Sequence, residues 1–287
     1  MASAAEATVA DLHGQDIPFP EAPAPWHCEG ETFWFYTYIR PSKDEPYPAK
    51  SSFGDIEATS AYADPKLTGK FKGGLALIMV VRYKASPVGP YDEVLWVPGK
   101  FQFPATGKSA LRITRIYVST KASTYNGRKN WNIPKQVAHF EFTPNPEAKD
   151  SDAILPYIKI SASPVNDPSN PFFVVNLKST RFLSKAHLPF NSNHVPGLDM
   201  TFIHPPLPES PNWKEDAKVG TDRWWTLKPL MTGKTGLLWV EGGLRGGKLG
   251  DNLGFPDVQV WKLGTWLRDF TLEFYVGEEL GAKKKQD

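Results

Sequence analysis

A lysine that directly follows a proline at a strand entrance is the first residue in this sequence whose position suggests chemistry. Pro134 biases Ile133 away from helical backbone angles and so favours a strand that begins at Lys135. Because neighbouring residues of a strand point to opposite faces, Lys135 is expected to share a face with His139, while Gln136 takes the other. A lysine at a strand end usually extends to solvent, but a neutral amine also adds to carbonyl groups. Position alone therefore leaves a solvated lysine and a reactive one both open.

The overall charge and the composition argue against several classes of protein. The 287 residues carry 33 Lys and Arg against 31 Asp and Glu, and a net charge of +2 gives no field that would attract nucleic acid. The only dense basic run, Lys283 to Lys285, stands at the end. No apolar run approaches the length of a membrane span. We therefore expect neither a nucleic-acid partner nor a membrane partner.

Cysteine and histidine usage predicts neither a metal site nor a cofactor. Cys28 is the single cysteine, so it can form no internal disulfide and no cysteine-based zinc site. The six histidines lack metal-binding spacing, and the glycine-rich stretch 242–249 has Leu249 where a phosphate-binding loop needs Ser or Thr. With no signal-peptide pattern near the start, the cytoplasm is the expected location.

Short runs of β-forming residues, separated by Pro, Gly and Asn turns, predict a mainly β (α+β) protein with few short helices. Strands are predicted at 33–39, 74–83, 93–97, 111–120, 137–142, 154–162, 172–177, 198–203, 224–230, 236–241 and 270–276. The best helix candidates are 123–132 and 258–267. The prolines from Pro189 to Pro211 predict a long loop region.

The stretch Gly127-Arg128-Lys129-Asn130-Trp131-Asn132-Ile133-Pro134-Lys135 resembles the signature of the acetoacetate decarboxylase family. In that family the lysine after the proline forms a Schiff base with a β-keto acid, so the resemblance implies this role for Lys135. Gly89-Pro90-Tyr91-Asp92-Glu93 resembles the turn that carries the family's active-site glutamate, which implies proton transfer by Glu93. Phe19-Pro20 and Phe182-Leu183-Ser184-Lys185 resemble two further family motifs.

The resemblance also implies a fold, a closed, cone-like antiparallel β-barrel whose interior holds the lysine. We expect a single barrel domain over residues 18–280, with a flexible arm at 1–17 and a basic tail at 281–287. Family members often self-associate, and the resemblance implies a homo-oligomer here as well.

Several positions depart from the family pattern. A second lysine follows the Schiff-base lysine in the decarboxylases, but here Gln136 stands in its place. The arginine expected before the first aromatic strand falls on or near Gly30, and the strand 75–81, which should carry another glutamate, is apolar. A Schiff base needs a neutral amine, so burial among aromatic residues, or Lys129 or Arg128 as a nearby cation, would have to replace the missing lysine. A simple acetoacetate decarboxylase is therefore not expected.

Five residues near Lys135 are the candidates for substrate binding. Trp131 and Asn132 could stack on a ligand or hydrogen-bond to it, and His139 could act as an acid or base if it shares the face of Lys135. Arg128 and Gln136 complete the set because they flank the same strand entrance.

Three hypotheses for the function remain open at this stage. The first is a cofactor-independent enzyme that acts on an apolar, polyketide-like carbonyl compound through a Schiff base on Lys135, by decarboxylation or by aldol or dehydration chemistry. The second is a non-covalent cyclase or isomerase of specialised metabolism, in which an aromatic pocket folds the substrate. The third is a binding module for an apolar metabolite. An aromatic content of 13%, with 10 Trp, fits a pocket for such a ligand in each case.

Overall fold

The computed structural model describes residues 9–10, 16–45, 47–148, 155–180, 187–195 and 197–280. The strands in these ranges are β1 (Val9–Ala10), β2 (Asp16–Ile17), β3 (Trp26–Ile39), β4 (Phe71–Ala85), β5 (Tyr91–Val97), β6 (Lys100–Gln102), β7 (Ser109–Leu111), β8 (Arg115–Val118), β9 (Lys135–Val137), β10 (His139–Pro144), β11 (Tyr157–Ser163), β12 (Phe173–Ser179), β13 (Leu188–Asn191), β14 (Phe202–His204), β15 (Trp224–Leu227), β16 (Leu230–Gly242), β17 (Leu263–Phe274) and β18 (Glu278–Leu280). The α-helices in the same ranges are α1 (Pro65–Thr68), α2 (Lys121–Trp131) and α3 (Trp213–Asp216). Short 3-10 helices occur at Lys50–Ser52, Glu57–Thr59, Ala61–Ala63, Pro146–Ala148 and Ser192–His194. The predicted mainly β fold with few short helices is confirmed.

One large sheet contains most of these strands. Its main path runs β10–β11–β12–β16–β17–β3–β4–β5–β8–β9. Most neighbours are antiparallel, but β9 pairs with β8 in parallel, and so does β14 with β7. The pairing at β9 is parallel because helix α2 carries the chain from the C-terminal end of β8 back towards its start, where Lys135 lies opposite Ile116.

Among the described strands, the hydrogen bonds of this sheet do not close into a ring. The path ends at β9 on one side and at β10 on the other, and these two strands are separated in the chain only by Ala138. The segment from 135 to 144 therefore bonds to β8 with its first part and to β11 with its last. The prediction of a closed antiparallel barrel needs correction, because chain continuity at Ala138, not a strand ladder, links the two edges.

A second branch of the sheet leaves from the first residues of β4. Phe71 and Gly73 pair with β6, and the branch continues through β7, β14 and β15 to β18. Gly73 and Gly74 have φ angles of 65° and 106° at this point, which non-glycine residues rarely adopt. These two glycines allow β4 to leave one branch and enter the other.

The large sheet is buried on both faces. One face packs into a cluster that includes Trp34, Met79 and Leu95, and the other into a cluster that includes Phe33, Val80 and Trp96. We call them the first and the second core. The first core also receives residues from α2, β14 and β15, whereas β10, β11 and β12 contribute to the second core alone. Because side chains alternate along a strand, adjacent residues belong to different cores.

Helix α2 begins and ends where the sequence has capping residues. The Thr120 side chain accepts a hydrogen bond from the Ser123 backbone N–H, which caps the start of the helix. Asn132 ends it in the left-handed conformation, with φ 52° and ψ 33°. Pro134 then prevents further helix, so that β9 begins at Lys135. The predicted helix at 123–132 is confirmed within one or two residues.

Two other predictions of local structure are wrong. Residues 258–262 are not helical, and β17 begins at Leu263 within the predicted helix at 258–267. Trp266 packs in the second core and Leu267 in the first, which is strand alternation imposed by pairing with β3 and β16. The predicted loop region from Pro189 to Pro211 overlaps β13 and contains β14, which lies at the end of the strand predicted at 198–203.

Several predictions fall wholly or partly outside the described residues. Within the predicted arm at 1–17, β1 and β2 pair in antiparallel fashion. The basic tail at 281–287 and the motif 182–185 lie outside the described residues.

His204 joins three parts of the fold and is fully buried. Its Nδ1 donates a hydrogen bond to the Trp131 carbonyl oxygen at the end of α2 (3.1 Å), and its Nε2 accepts one from the Ile113 backbone N–H (3.2 Å). Acceptance at Nε2 requires a neutral imidazole that carries its proton on Nδ1. Burial, with a smaller contribution from the Arg112 charge, lowers the pKa of His204 from 6.5 to about 3.

This shift predicts a specific acid sensitivity. Below pH 6.5 the unfolded chain gains a proton at His204 and the folded chain does not, so stability falls as the pH decreases towards 3. Between pH 7 and pH 5 this one group should lower the free energy of unfolding by about 2 kcal/mol. Urea unfolding of the wild type and of His204→Gln at pH 7 and at pH 5 measures this difference in the free energy of unfolding. An equal pH dependence in the two proteins would contradict the assignment.

Candidate active site

Lys135 and Glu93 form an ion pair inside the protein. The Lys135 Nζ lies 2.9 Å from the Glu93 Oε2, and the two side chains are 3% and 4% exposed. Ions so far from water are costly unless they are paired and fully hydrogen-bonded. The pair therefore marks a place where the fold accepts a large desolvation cost.

The sheet register explains why residues 42 positions apart meet. Lys135 is the first residue of β9 and lies opposite Ile116 of β8, which in turn lies opposite Leu95 of β5. Glu93 is two residues from Leu95 and thus on the same face. The long lysine side chain crosses β8 to reach the carboxylate.

Two hydroxyl groups complete the surroundings of the Lys135 Nζ. The Ser123 Oγ lies at 3.0 Å and the Tyr91 hydroxyl at 3.3 Å, and the tyrosine ring centroid is 5.0 Å away. Together with Glu93 they provide three acceptors for the three N–H groups of an ammonium ion. The geometry of this structure is therefore that of a fully hydrogen-bonded ammonium.

Gly127 of α2 makes room for the lysine side chain. A Cβ atom at this position would lie 2.5 Å from the Lys135 Cδ and 2.8 Å from its Cε. Gly127 follows Ser123 by four residues, so both lie on the helix face that covers the lysine. The glycine of the sequence motif thus has a direct steric role.

A small cavity of about 30 Å³ adjoins the ion pair. Apart from Glu93, Lys135 and the buried Tyr83, apolar residues form its walls: Met79, Val81, Leu95, Ile113, Ile116, Ile133, Phe202, Leu227, Pro229, Met231, Phe270, Leu272 and Phe274. Among these lining residues Glu93 is the single carboxylate and Lys135 the single cation. Such walls suit an apolar ligand with one polar group.

The other titratable groups near the pair are neutral. Burial, reinforced by the Glu93 charge, raises the pKa of Tyr83 and of Tyr91 well above the usual phenol range. Burial also raises the pKa of Cys28, which belongs to the same core, to about 12. These groups can therefore donate hydrogen bonds, but they do not add charge at neutral pH.

Gln136 lies on the opposite side of the sheet from Lys135. It is buried and aligns with Tyr117, a member of the second core. Because position 136 faces away from the Lys135 Nζ, a lysine there would not lie beside the amine. The substitution by Gln136 therefore does not remove a cation from the immediate surroundings of Lys135, contrary to our sequence-based expectation.

Arg128 forms a separate buried network beneath α2. Its guanidinium pairs with the Glu57 carboxylate (2.8 Å) and donates to the backbone oxygens of Pro208, Val219 and Lys135. Both Arg128 and Glu57 are almost completely buried. These contacts tie α2 to β9 and to two loops, so the guanidinium does not face the cavity.

The remaining three candidates also lie away from the cavity. The Trp131 Nε1 donates to the Tyr275 carbonyl oxygen (3.0 Å), and the Asn132 Nδ2 donates to the backbone oxygens of Pro205 and Arg223. His139 is exposed and belongs to β10. The break at Ala138 separates β10 from β9, which is why the predicted shared face with Lys135 does not form.

Sequence reasoning missed Tyr91, Ser123 and Glu57. Tyr91 precedes Glu93 by two residues in a strand, so alternation alone places it on the same face. The four-residue spacing of Ser123 and Gly127 was a second available signal. Glu57 had none, because its partner Arg128 is 71 residues away.

Several solved structures share this fold, among them acetoacetate decarboxylases and an enzyme of enduracididine biosynthesis. The acetoacetate decarboxylase from Legionella pneumophila subsp. pneumophila str. Philadelphia 1 is 12% identical to this chain. The match covers 98% of each chain and has a TM-score of 0.56. An acetoacetate decarboxylase-like enzyme from Sphingomonas wittichii RW1 is 12% identical, with a TM-score of 0.57 over 96% of this chain and 100% of the other. The enduracididine biosynthesis enzyme MppR is 16% identical, with a TM-score of 0.57 over 93% and 91%. No protein-family model and no curated protein sequence matches the chain.

The predicted resemblance is thereby confirmed at the level of the fold. The chain has the fold of acetoacetate decarboxylase and of enzymes like it. Among the described residues, no helix is long and apolar enough to cross a membrane. Nor do these residues include a group of three or more His, Cys, Asp and Glu placed to hold a metal ion.

The buried ion pair makes a testable contribution to stability. Lys135→Met or Glu93→Gln alone leaves the partner charge buried without compensation, which should lower the free energy of unfolding by about 3–5 kcal/mol. The double variant removes both charges and should recover more than half of that loss. Denaturant unfolding of the four proteins forms a double-mutant cycle. Strictly additive effects would mean that the two groups do not interact.

A parallel comparison tests whether Arg128 has a structural role. Arg128→Met should cost about 3–5 kcal/mol of unfolding free energy, because it leaves Glu57 buried and unpaired. Arg223→Met is the matched control, since it breaks an exposed ion pair with Glu279 and should have little effect. Equally small effects in the two variants would show that the Arg128 network is dispensable.

Proposed function

We propose that the protein is a cofactor-independent enzyme that binds an apolar carbonyl compound and forms a Schiff base with it on Lys135. The observation that carries this proposal is the buried pair of Lys135 and Glu93 beside an apolar cavity. The fold shared with acetoacetate decarboxylases supports it. The single cysteine and the composition support a cytoplasmic location.

The first step begins with transfer of a proton from the Lys135 ammonium to the Glu93 carboxylate, which lies 2.9 Å away. The free amine then adds to the carbonyl carbon, and the electrons of the C=O bond move to the oxygen. A proton passes from nitrogen to oxygen, with the Ser123 and Tyr91 hydroxyls within reach of the nitrogen as relays. Glu93 returns its proton to the hydroxyl group, which leaves as water, and an iminium ion remains beside the Glu93 carboxylate.

The iminium then acts as an electron sink. When a bond from the adjacent carbon to a substituent breaks, its electron pair forms an enamine, which is later protonated and hydrolysed to release the product and regenerate Lys135. Protonation of the enamine completes a decarboxylation or a retro-aldol cleavage. In an aldol addition the enamine carbon instead attacks a second carbonyl carbon, and in a dehydration the enamine expels a protonated β-hydroxyl group as water. The lining residues include no second cation that would bind a substrate carboxylate next to Glu93. Within the proposal we therefore favour neutral ketones or aldehydes and aldol-type or dehydration reactions.

A second candidate uses the same cavity without a covalent step. The three acceptors around the Lys135 Nζ match an ammonium ion that donates hydrogen bonds. If one acceptor exchanges for a substrate carbonyl oxygen, the ammonium polarises an enone while the apolar walls hold a polyene in a reactive conformation. This would be a cyclase or isomerase.

Trapping with borohydride decides between the two candidates. The wild-type protein is incubated with a panel of apolar methyl ketones and aldehydes, reduced and analysed by intact-protein and peptide mass spectrometry. The Schiff-base proposal expects an adduct on Lys135 that exceeds the labelling of exposed Lys178 at least tenfold. It expects no adduct at position 135 in the variant Lys135→Met/Glu93→Gln, which keeps the charge balance of the core.

The alternative result is equally informative. If calorimetry shows that a ligand binds but borohydride leaves no reduced adduct on Lys135, the covalent mechanism is overturned for that ligand. Conversion of a bound polyene or enone without an adduct would then support the cyclase or isomerase.

A further inference from the structure

The cavity next to Lys135 is too small for the proposed substrates. Its volume is about 30 Å³, whereas pockets for small-molecule ligands usually measure about 300–1,000 Å³. A carbonyl compound can therefore reach Lys135 only if lining side chains move. The lining residues that also face the protein surface are the candidates for this movement.

A second cavity lies on the protein surface against the same wall. We call it the β15 cleft; it measures about 260 Å³ and is lined by Thr226, Leu227, Lys228, Tyr275, Val276 and Glu278. Leu227 lines both this cleft and the inner cavity. If the Leu227 side chain turned aside, the two spaces would join and approach the lower end of the range for ligand pockets.

The outer rim of the β15 cleft is suited to an apolar molecule. Tyr275 is 51% exposed and Val276 is 64% exposed, although both are large hydrophobic residues. They lie between β17 and β18, in a segment without regular strand structure. Within the described residues, the Tyr275 carbonyl oxygen is held by the Trp131 Nε1, while Lys228 and Glu278 add a polar edge. Apolar residues in such a position favour the capture of apolar ligands.

A larger cleft of about 750 Å³ elsewhere on the surface does not offer the same route. It is lined by Gln136, Tyr117 and Phe172 among others, and it shares no lining residue with the inner cavity. Gln136 and Tyr117 lie on the opposite face of the sheet from Lys135. A molecule in this cleft would have to cross the sheet to reach the amine.

We propose that apolar carbonyl compounds reach Lys135 through the β15 cleft, and that Leu227 sets the width of this passage and thereby the size of substrate admitted. The inference rests on the proposed function for the identity of the ligand, but the passage itself can be tested without it. Leu227 is buried at the end of β15, opposite Phe202, which also lines the inner cavity. We assign this role to Leu227 because it lies between the β15 cleft and the inner cavity.

The first experiment measures access alone. Formaldehyde and cyanoborohydride methylate any accessible lysine amine, so the rate at Lys135 reports entry of a small carbonyl compound, with exposed Lys178 as the internal reference. Leu227→Ala should raise the relative rate at Lys135 at least fivefold. Val276→Trp narrows the cleft from an exposed position, without disturbing the core, and should lower the rate by a similar factor.

The control is a buried leucine in the second core. Leu177→Ala creates a comparable loss of packing far from the cleft, and it should leave the relative rate at Lys135 unchanged. Equal acceleration by Leu227→Ala and Leu177→Ala would overturn the passage, because it would reflect general loosening. An unchanged rate in both Leu227→Ala and Val276→Trp would overturn it as well.

The second experiment links the passage to substrate size. Borohydride trapping of acetone and of 2-acetylnaphthalene is compared in wild type and Leu227→Ala, and the variant should gain at least tenfold for the larger ketone relative to the smaller one. Ketone adducts with identical size selectivity in both proteins would overturn the role of Leu227 while the proposed function stands. If the methylation rate at Lys135 changes in the variants as expected but no ketone adduct forms, the Schiff-base function would be overturned while the passage stands.

Discussion

A charged ammonium group surrounded by hydrocarbon side chains requires compensation, and this constraint governs the architecture around Lys135. Moving one ion from water into a protein interior costs several kcal/mol even after relaxation, and only a close counter-charge with complete hydrogen bonding offsets that cost. Glu93 and Tyr91 from β5 and Ser123 from α2 meet the requirement together. Strand β5, helix α2 and strand β9 must therefore assemble as a unit.

The two faces of the sheet place neighbouring residues in different surroundings. Lys135 and Gln136 are neighbours in the chain, yet they face different cores, because successive strand residues point to opposite sides. On the lysine side, one cation and one carboxylate stand in an apolar wall. Arg128 and Glu57 supply a second buried pair that holds α2 in place over β9. The polar residues near the sequence motif thus divide into a pair that adjoins the cavity and a pair that supports the helix above it.

The composition of the cavity wall limits the ways in which a ligand can be recognised. With one cation already paired to one carboxylate, charge offers little discrimination between ligands, and the shape of the apolar surface must provide it. The walls are close-packed, so any ligand larger than a few atoms displaces side chains when it enters. Under the proposed function, entry and selectivity would therefore be coupled.

Much of the fold was determined by local sequence. Pro134 after a capped helix fixes the start of β9 at Lys135, and β-forming runs between turn residues mark most of the strands. The signature around Lys135 and the turn at Glu93 also predicted the family whose fold the chain shares. These features depend on backbone preferences and on motifs within a few residues, which a sequence displays directly.

The tertiary structure alone decided which residues meet. The register of β5, β8 and β9 brings Glu93 to Lys135, and the break at Ala138 carries His139 to the surface. The segment 258–267 looked helical but joined the sheet, since pairing with β3 and β16 outweighs a weak local preference. Such outcomes depend on contacts between residues far apart in the chain, and local periodicity contains no information about them.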